Sequence, residues 1–152
     1  MAFKETIHIE APVEMVFAVA TDSEVAAKIM DNVVKAEKIT EGPIQAGTQI
    51  KELRNVRARA VETILHVTEF IANQKYTVKS ESAGMTIEYQ YLFLSEENGT
   101  TVDFKGSIRS KGLKNLLIKP FFEKILKKED ENHLQRLKEY IEQQRSDSND
   151  QQ

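Results

Sequence analysis

The chain has 152 residues, of which 40% are hydrophobic and 30% charged, and its net charge is −3. This length suits one domain that buries roughly 70% of its unfolded surface. The absence of cysteine excludes disulfides and thiolate metal sites, and the negative charge argues against a nucleic-acid partner.

The opening stretch IHIEAPVEMVFAVATD changes its hydrophobic period at the Ala-Pro step. Before this step apolar and polar residues alternate, which predicts a strand over residues 3–10. After it the apolar residues recur at helical spacing, and proline suits a first helical turn, so a helix is predicted over 13–21. Asp22 or Ser23 can cap a second short helix that extends through residue 30.

Six further strand candidates follow, separated by turns that contain glycine, proline or asparagine. They cover residues 33–40, 48–53, 59–70, 75–82, 85–95 and 100–110. Short links of this kind join antiparallel neighbours, which predicts a meander. Asn98-Gly99 is interpreted as a tight hairpin turn, because both residues accept positive φ.

The last apolar stripe, in PFFEKILKKEDENHLQRLKEYIEQQR, predicts one helix over residues 120–145. Such a helix is roughly 39 Å long, whereas a chain of this length has a radius of gyration of about 15 Å. A helix that spans the molecule needs an equally long apolar surface, and a curved sheet offers one. The polar tail, residues 146–152, has no apolar anchor and is expected to be disordered.

This order of elements, β-α-α-β(6)-α, resembles the START-like (helix-grip, SRPBCC) superfamily, and within it the polyketide cyclase/dehydrase-type members. Four stretches and their spacing carry the resemblance: IHIEAPVEMVFAVATD, EGPIQAGTQI, ENGTTVDFKGSI and LQRLKEYIE. It implies an α+β helix-grip fold, in which a curved antiparallel sheet of six to seven strands wraps around a long C-terminal helix. It also implies one START-like domain over residues 1–145, with a cavity between sheet and helix that usually holds a hydrophobic small molecule.

Alternation places one set of side chains on the concave face of the predicted sheet. The candidate ligand-binding residues in this set are Tyr76, Met85, Tyr89, Tyr91, Phe93 and Phe104. A buried phenol without a hydrogen bond costs about 1–3 kcal/mol, so water or a polar ligand group would satisfy the tyrosines most easily. The alternative is a filled core, in which each hydroxyl reaches the rim or a backbone carbonyl.

Two polar residues interrupt the apolar stripe of the predicted last helix. Glu129 and His133 lie four residues apart and therefore share one helical face. If this face looks into the cavity, the two residues can bind a polar ligand group or act as an acid/base pair. If the helix rotates here, they lie in solvent.

Motifs for other chemistries are missing. The chain has no G-x-S-x-G nucleophile, and Gly42 and Gly47 are not followed by the Lys-Ser/Thr of a phosphate-binding loop. His8, His66 and His133 are too scattered to suggest a metal site. No glycine-rich turn suits a nicotinamide or flavin. We therefore expect neither a metal nor a cofactor.

The segment SKGLKNLLIKPFFEKILKK mixes lysines with apolar residues, a composition that also occurs in segments that make transient contact with an anionic membrane surface. The preferred interpretation is an ordinary core helix with solvated lysines. Arg54, Arg57 and Arg59 are predicted to lie in a solvated loop and strand edge. With no apolar run near the ~20 residues of a membrane span and no secretory signal, we expect a cytoplasmic protein.

The leading interpretation is binding or transport of a hydrophobic or aromatic small molecule, such as a lipid, quinone or polyketide-like compound, without catalysis. One alternative is a polyketide cyclase/dehydratase-type enzyme that uses general acid/base residues in the same cavity. Another is a co-chaperone-like domain that binds proteins. The sequence leaves the ligand and the oligomeric state open.

Overall fold

The computed structural model describes residues 2–30, 33–56, 58–82, 84–112, 120, 124 and 132–150. The strands in these ranges are β1 (Ala2–Ile9), β2 (Val33–Lys38), β3 (Gln49–Val56), β4 (Arg59–Ile71), β5 (Lys75–Ser82), β6 (Met85–Glu96) and β7 (Gly99–Ser110). The helices are α1 (Val13–Ala20), α2 (Ser23–Ile29) and α3 (His133–Asp150). The predicted α+β class and element order are confirmed.

All seven strands of the described residues belong to one sheet, in the order β1-β7-β6-β5-β4-β3-β2. Every neighbouring pair is antiparallel. β1 and β2 are consecutive in the chain but lie at opposite edges, so α1 and α2 must carry the chain from one edge to the other. This connection explains why the sequence changes from strand to helical spacing so early.

The two short helices are fixed by a proline, a cap and aromatic packing. Pro12 immediately precedes α1, and the Asp22 carboxylate accepts a hydrogen bond from the Glu24 N–H at 2.9 Å, which caps α2 as predicted. The Phe17 ring of α1 lies 5.1 Å from the rings of both Phe70 and Phe93, in edge-to-face contact. α1 is thereby anchored on the concave face.

The single helix predicted over residues 120–145 is interrupted at Asn132. Asn132 forms a turn, and its carbonyl accepts from the Arg136 N–H at 3.0 Å, so α3 starts at His133. Residues 120 and 124 are also helical, and the other residues between 113 and 131 lie outside the described part of the chain. Asparagine is common at the position before a helix, because its side-chain oxygen can accept a hydrogen bond from a backbone N–H of the first turn that has no partner within the helix. Leu134, Leu137 and Ile141 form the buried stripe of α3.

The described helix continues to Asp150, beyond the predicted start of a disordered tail at residue 146. Residues 143–148 are exposed, and a hydrogen bond of 3.3 Å from Gln143 to Asp147 supports the last turns. Hydrogen bonds between polar side chains one helical turn apart cannot be recognised from the spacing of hydrophobic residues. No helix of the described residues is long and apolar enough to cross a bilayer.

The β6–β7 hairpin turns at Glu97 and Asn98, with Glu96 paired to Gly99. This differs by one residue from the predicted Asn-Gly turn, and of those two residues only Gly99 has positive φ, at +146°. A Cβ atom on Gly99 would lie 2.3 Å from the carbonyl oxygen of Ile9. The glycine is therefore needed where the hairpin passes the end of β1.

Candidate ligand-binding cavity

A cavity lies between the concave face of the sheet, the α1–α2 junction and the first residue of α3. The space open to the centre of a water molecule is about 60 Å³. One water needs roughly 10–15 Å³ on this measure, so there is room for a few waters but not for a lipid chain. The walls are mostly aliphatic and aromatic, with a small number of polar groups.

Five of the candidate residues line this cavity, namely Tyr76, Tyr89, Tyr91, Phe104 and His133. All of them are buried. The Tyr91 ring lies 4.8 Å from Phe104 and 5.9 Å from Tyr76, and Tyr89 stacks on Phe104 at 5.5 Å. The strand alternation therefore brings the three predicted tyrosines onto one continuous aromatic wall.

Met85 and Phe93 are buried on the same side of β6 but do not line the cavity. Met85 packs with Ile108 in a separate small cluster, and Phe93 contacts Phe17. Alternation identifies the face of a strand but not the position of a cavity along it, and β6 is longer than the cavity. Glu129 lies outside the described residues.

His133 enters the cavity wall from the first turn of α3. Its Nε2 atom lies 2.6 Å from the Tyr91 hydroxyl oxygen, in a buried hydrogen bond. Burial, and then the nearby charge of Arg54, lower the pKa of His133 to about 4. The imidazole is therefore uncharged at neutral pH. Its Nδ1 atom has no hydrogen-bond partner among the described residues.

A buried ion pair on β3 was not predicted from the sequence. The Glu52 carboxylate accepts a hydrogen bond from Arg54 Nε, and the two side chains are only 4% and 12% exposed. Burial, and then the charge of Glu52, raise the pKa of the Tyr76 hydroxyl. Both members of the pair line the cavity.

The prediction that Arg54 lies in a solvated cluster is therefore wrong, although Arg59 is exposed as expected. Arg57 lies outside the described residues. The missed signal is the alternation Ile50, Glu52, Arg54, which puts all three residues on the concave face. Charged residues are rarely predicted to lie in a protein interior, because burying a charge without an oppositely charged partner is so unfavourable.

Comparison with known proteins identifies the family to which this fold belongs. The family described as polyketide cyclase/dehydrase and lipid transport matches residues 1–142. The chain belongs to this family. No curated protein sequence matches the chain significantly.

Several solved structures have the same fold at low sequence identity. A protein from Thermus thermophilus has a TM-score of 0.74 at 19% identity, over 93% of this chain and 97% of that one. A START superfamily protein from Mycobacterium smegmatis has a TM-score of 0.74 at 13% identity, over 93% and 97%. The Zhui aromatase/cyclase of a Streptomyces species has a TM-score of 0.74 at 12% identity, over 93% of each chain.

The buried ionisable groups that line the cavity of this polyketide cyclase/dehydrase-type protein carry no net charge. Glu52 and Arg54 compensate each other, and His133 is uncharged at neutral pH. Asp22 also lines the cavity, but it is exposed and its carboxylate caps α2. Among the described residues no group of three histidine, aspartate or glutamate side chains is placed to hold a metal ion. The site offers hydrogen bonds and aromatic surface.

Proposed function

We propose that this protein binds an uncharged, hydrophobic or aromatic small molecule in the cavity beneath the α1–α2 junction. The observation that carries the proposal is the aromatic wall of Tyr76, Tyr89, Tyr91 and Phe104 around a space with few, buried polar groups. Apolar walls with a few placed polar contacts are typical of small-molecule sites. Family membership supports the same class of function.

The size of the cavity limits how such a ligand binds. An engineered cavity that holds benzene has a volume of about 150 Å³, whereas this one has about 60 Å³. A lipid, quinone or polyketide-like ligand therefore requires the walls to move apart. α2 is the wall element best suited to move, because it has only 7 residues. Its last carbonyl, that of Ile29, accepts a long hydrogen bond of 3.4 Å from Arg136.

A second candidate function is acid/base catalysis on a ketide-like substrate, and the buried Tyr91–His133 pair is the observation that favours it. A general base works best with a pKa near the working pH. The pKa of His133, lowered to about 4, makes this imidazole a weak base at neutral pH. The pair is better suited to hold a ligand than to remove its proton, so we place binding first.

Native mass spectrometry of the purified protein tests the proposal, followed by thermal-shift measurements with a panel of fatty acids, quinones and aromatic polyketides. We expect a co-purifying small molecule, or a panel compound that raises Tm. Chemical-shift changes in backbone NMR spectra should then centre on Tyr76, Tyr91 and His133. Shifts confined to the convex face of the sheet, or the absence of any stabilising compound, would contradict it.

Catalysis requires a separate measurement. Incubation of the protein with a short poly-β-ketone substrate, followed by mass spectrometry, would reveal the loss of water that accompanies cyclisation and dehydration. We expect binding without turnover. Turnover that is lost in both Tyr91→Phe and His133→Gln would instead support the catalytic candidate.

A further inference from the structure

The polar groups of Glu52 and Tyr76 have hydrogen-bonding capacity that the described residues do not use. The Glu52 carboxylate accepts from Arg54 Nε, and no other hydrogen bond is made to it within the described part of the chain. The Tyr76 hydroxyl has no hydrogen-bond partner in the same part of the chain. Both side chains are buried, and both line the cavity.

The chemistry of these two groups defines what can satisfy them. An ionised carboxylate only accepts hydrogen bonds, so its free oxygen requires a donor. A phenol both donates and accepts. Glu52 lies close enough to Tyr76 for its charge to affect the hydroxyl, yet the two share no direct hydrogen bond. One ligand group between them would have to donate to Glu52 and accept from Tyr76.

The charges around the cavity restrict the ligand further. Because Arg54 already neutralises Glu52, an anionic ligand at this pair would meet the carboxylate and a cationic ligand would meet the guanidinium. The third charged lining residue, Asp22, is exposed to solvent, and its carboxylate caps α2. Either ligand would have to compete with an existing buried pair, which is unfavourable. An uncharged group avoids this competition.

We propose that the ligand is an uncharged hydroxyl compound, a phenol or an alcohol, whose O–H donates to Glu52 and whose oxygen accepts from Tyr76. This inference rests on the proposed function and adds the polar group of the ligand. It separates hydroxylated ligands from ketones and ethers, which have no donor, and from carboxylic acids, which are ionised at neutral pH.

The wild-type protein can be titrated at pH 7 with phenol, anisole, toluene and benzoate, with binding followed by NMR. These probes share one ring and differ in the polar group. A hydrogen bond to a charged acceptor corresponds to roughly a tenfold or larger difference in affinity. We therefore expect phenol to bind at least about tenfold more tightly than toluene or anisole, and benzoate to bind most weakly.

Two variants assign the preference to these residues. Glu52→Gln should remove most of the preference for phenol over toluene, and Tyr76→Phe should reduce it by several fold while toluene affinity stays unchanged. The matched control is Tyr140→Phe, since Tyr140 is a half-buried tyrosine of α3 that does not line the cavity. If Glu52→Gln fails to fold because Arg54 loses the compensating charge of Glu52, Tyr76→Phe and the wild-type probe series still test the proposal.

The outcomes distinguish this inference from the function on which it rests. Equal affinity for phenol and toluene, with both probes shifting the resonances of cavity residues, overturns the hydroxyl contact and leaves cavity binding intact. Tighter binding of benzoate also overturns it, in favour of Arg54 as an anion contact. No binding in the cavity by any probe overturns both.

Discussion

His133 is a buried imidazole that folding keeps uncharged. Burial and the charge of Arg54 lower its pKa from 6.5 to about 4, while the Glu52 carboxylate that compensates Arg54 lines the same cavity. Between these two pKa values the unfolded chain binds the proton and the folded protein does not, so stability falls as the pH falls. The full difference, about 2.5 pKa units, corresponds to about 3 kcal/mol.

We expect His133→Gln to weaken the pH dependence of stability. In urea denaturation, the wild type should lose stability steadily from pH 6.5 towards pH 4, whereas the variant should lose less over the same range. His66→Gln is the matched control, because His66 is exposed. Carboxylates such as Glu69, whose pKa is lowered first by its hydrogen bond to Lys75, contribute equally to all three proteins. Parallel curves for the wild type and His133→Gln would show that His133 does not remain neutral.

Gly99 combines a backbone conformation that disfavours side chains with a close approach to Ile9. We expect Gly99→Ala to lower the free energy of unfolding by at least roughly 1–3 kcal/mol, the usual range for backbone strain alone. Gly42→Ala separates the two effects, since Gly42 has φ +90° but a Cβ atom added there would meet no other atom within 4 Å. Chemical denaturation should show that Gly99→Ala lowers the free energy of unfolding clearly more than Gly42→Ala does. Equal decreases would mean that the close approach of Gly99 to Ile9 contributes nothing.

At the scale of elements, polar side chains of α3 hold the end of β1. Lys138 Nζ donates to the His8 carbonyl at 2.8 Å, and Glu142 accepts from the Glu10 N–H at 3.0 Å. Lys138 and Glu142 also form an ion pair at 2.7 Å. Burial alone would raise the pKa of Glu142, but the Glu10 N–H and the Lys138 ammonium lower it overall. The edge strand is thus bonded to the helix as well as to β7.

Glu142→Ala should cost about 1 kcal/mol of unfolding free energy, because a charged acceptor of a backbone N–H is lost at a partly exposed position. Glu139→Ala is the control on the same helix, since Glu139 is exposed and its carboxylate accepts a hydrogen bond from Gln135, within α3 itself. Hydrogen exchange should show faster exchange at the Glu10 amide in the first variant only. Unchanged exchange there would contradict the contact.

The elements differ in how well the sequence predicts them. β6 and β7 follow from alternation and turn residues, because the more buried residues of each strand lie on one side. The interruption at Asn132 does not follow, because the hydrophobic spacing of the sequence stays in phase across this residue. Local backbone bonds, and not hydrophobic spacing, determine that boundary.

At the scale of the whole molecule, the cavity is harder to predict than the sheet. The concave set that contains Tyr76, Tyr89 and Tyr91 follows from strand alternation, but the volume between sheet and helices depends on every side chain that fills it. The ion pair of Glu52 and Arg54 was not predicted. Each charge is tolerated in the interior only because the other, two residues away, is buried beside it. Sequence patterns therefore predict which face is buried but not how completely it is filled.

The position of the ligand can be tested by filling the cavity from one edge of the sheet. Ala36 on β2 is 7% exposed and lines the cavity. Ala36→Leu would place a branched side chain in the space of about 60 Å³. We expect phenol affinity to fall at least about tenfold, because the leucine would displace the ring from the apolar walls and the ring would lose its buried contacts. Thermal stability should change little, because filling a void offsets the strain of overpacking.

The neighbouring substitution Lys35→Leu provides the control, because Lys35 is exposed on the opposite face of the same strand. It adds a leucine to β2 without reducing the cavity, so phenol affinity should remain at the wild-type value. Loss of binding in Ala36→Leu alone would locate the ligand between β2 and the aromatic wall. Equal affinity in both variants would place the ligand elsewhere, because the added leucine occupies space that a ring can enter only when the walls move apart.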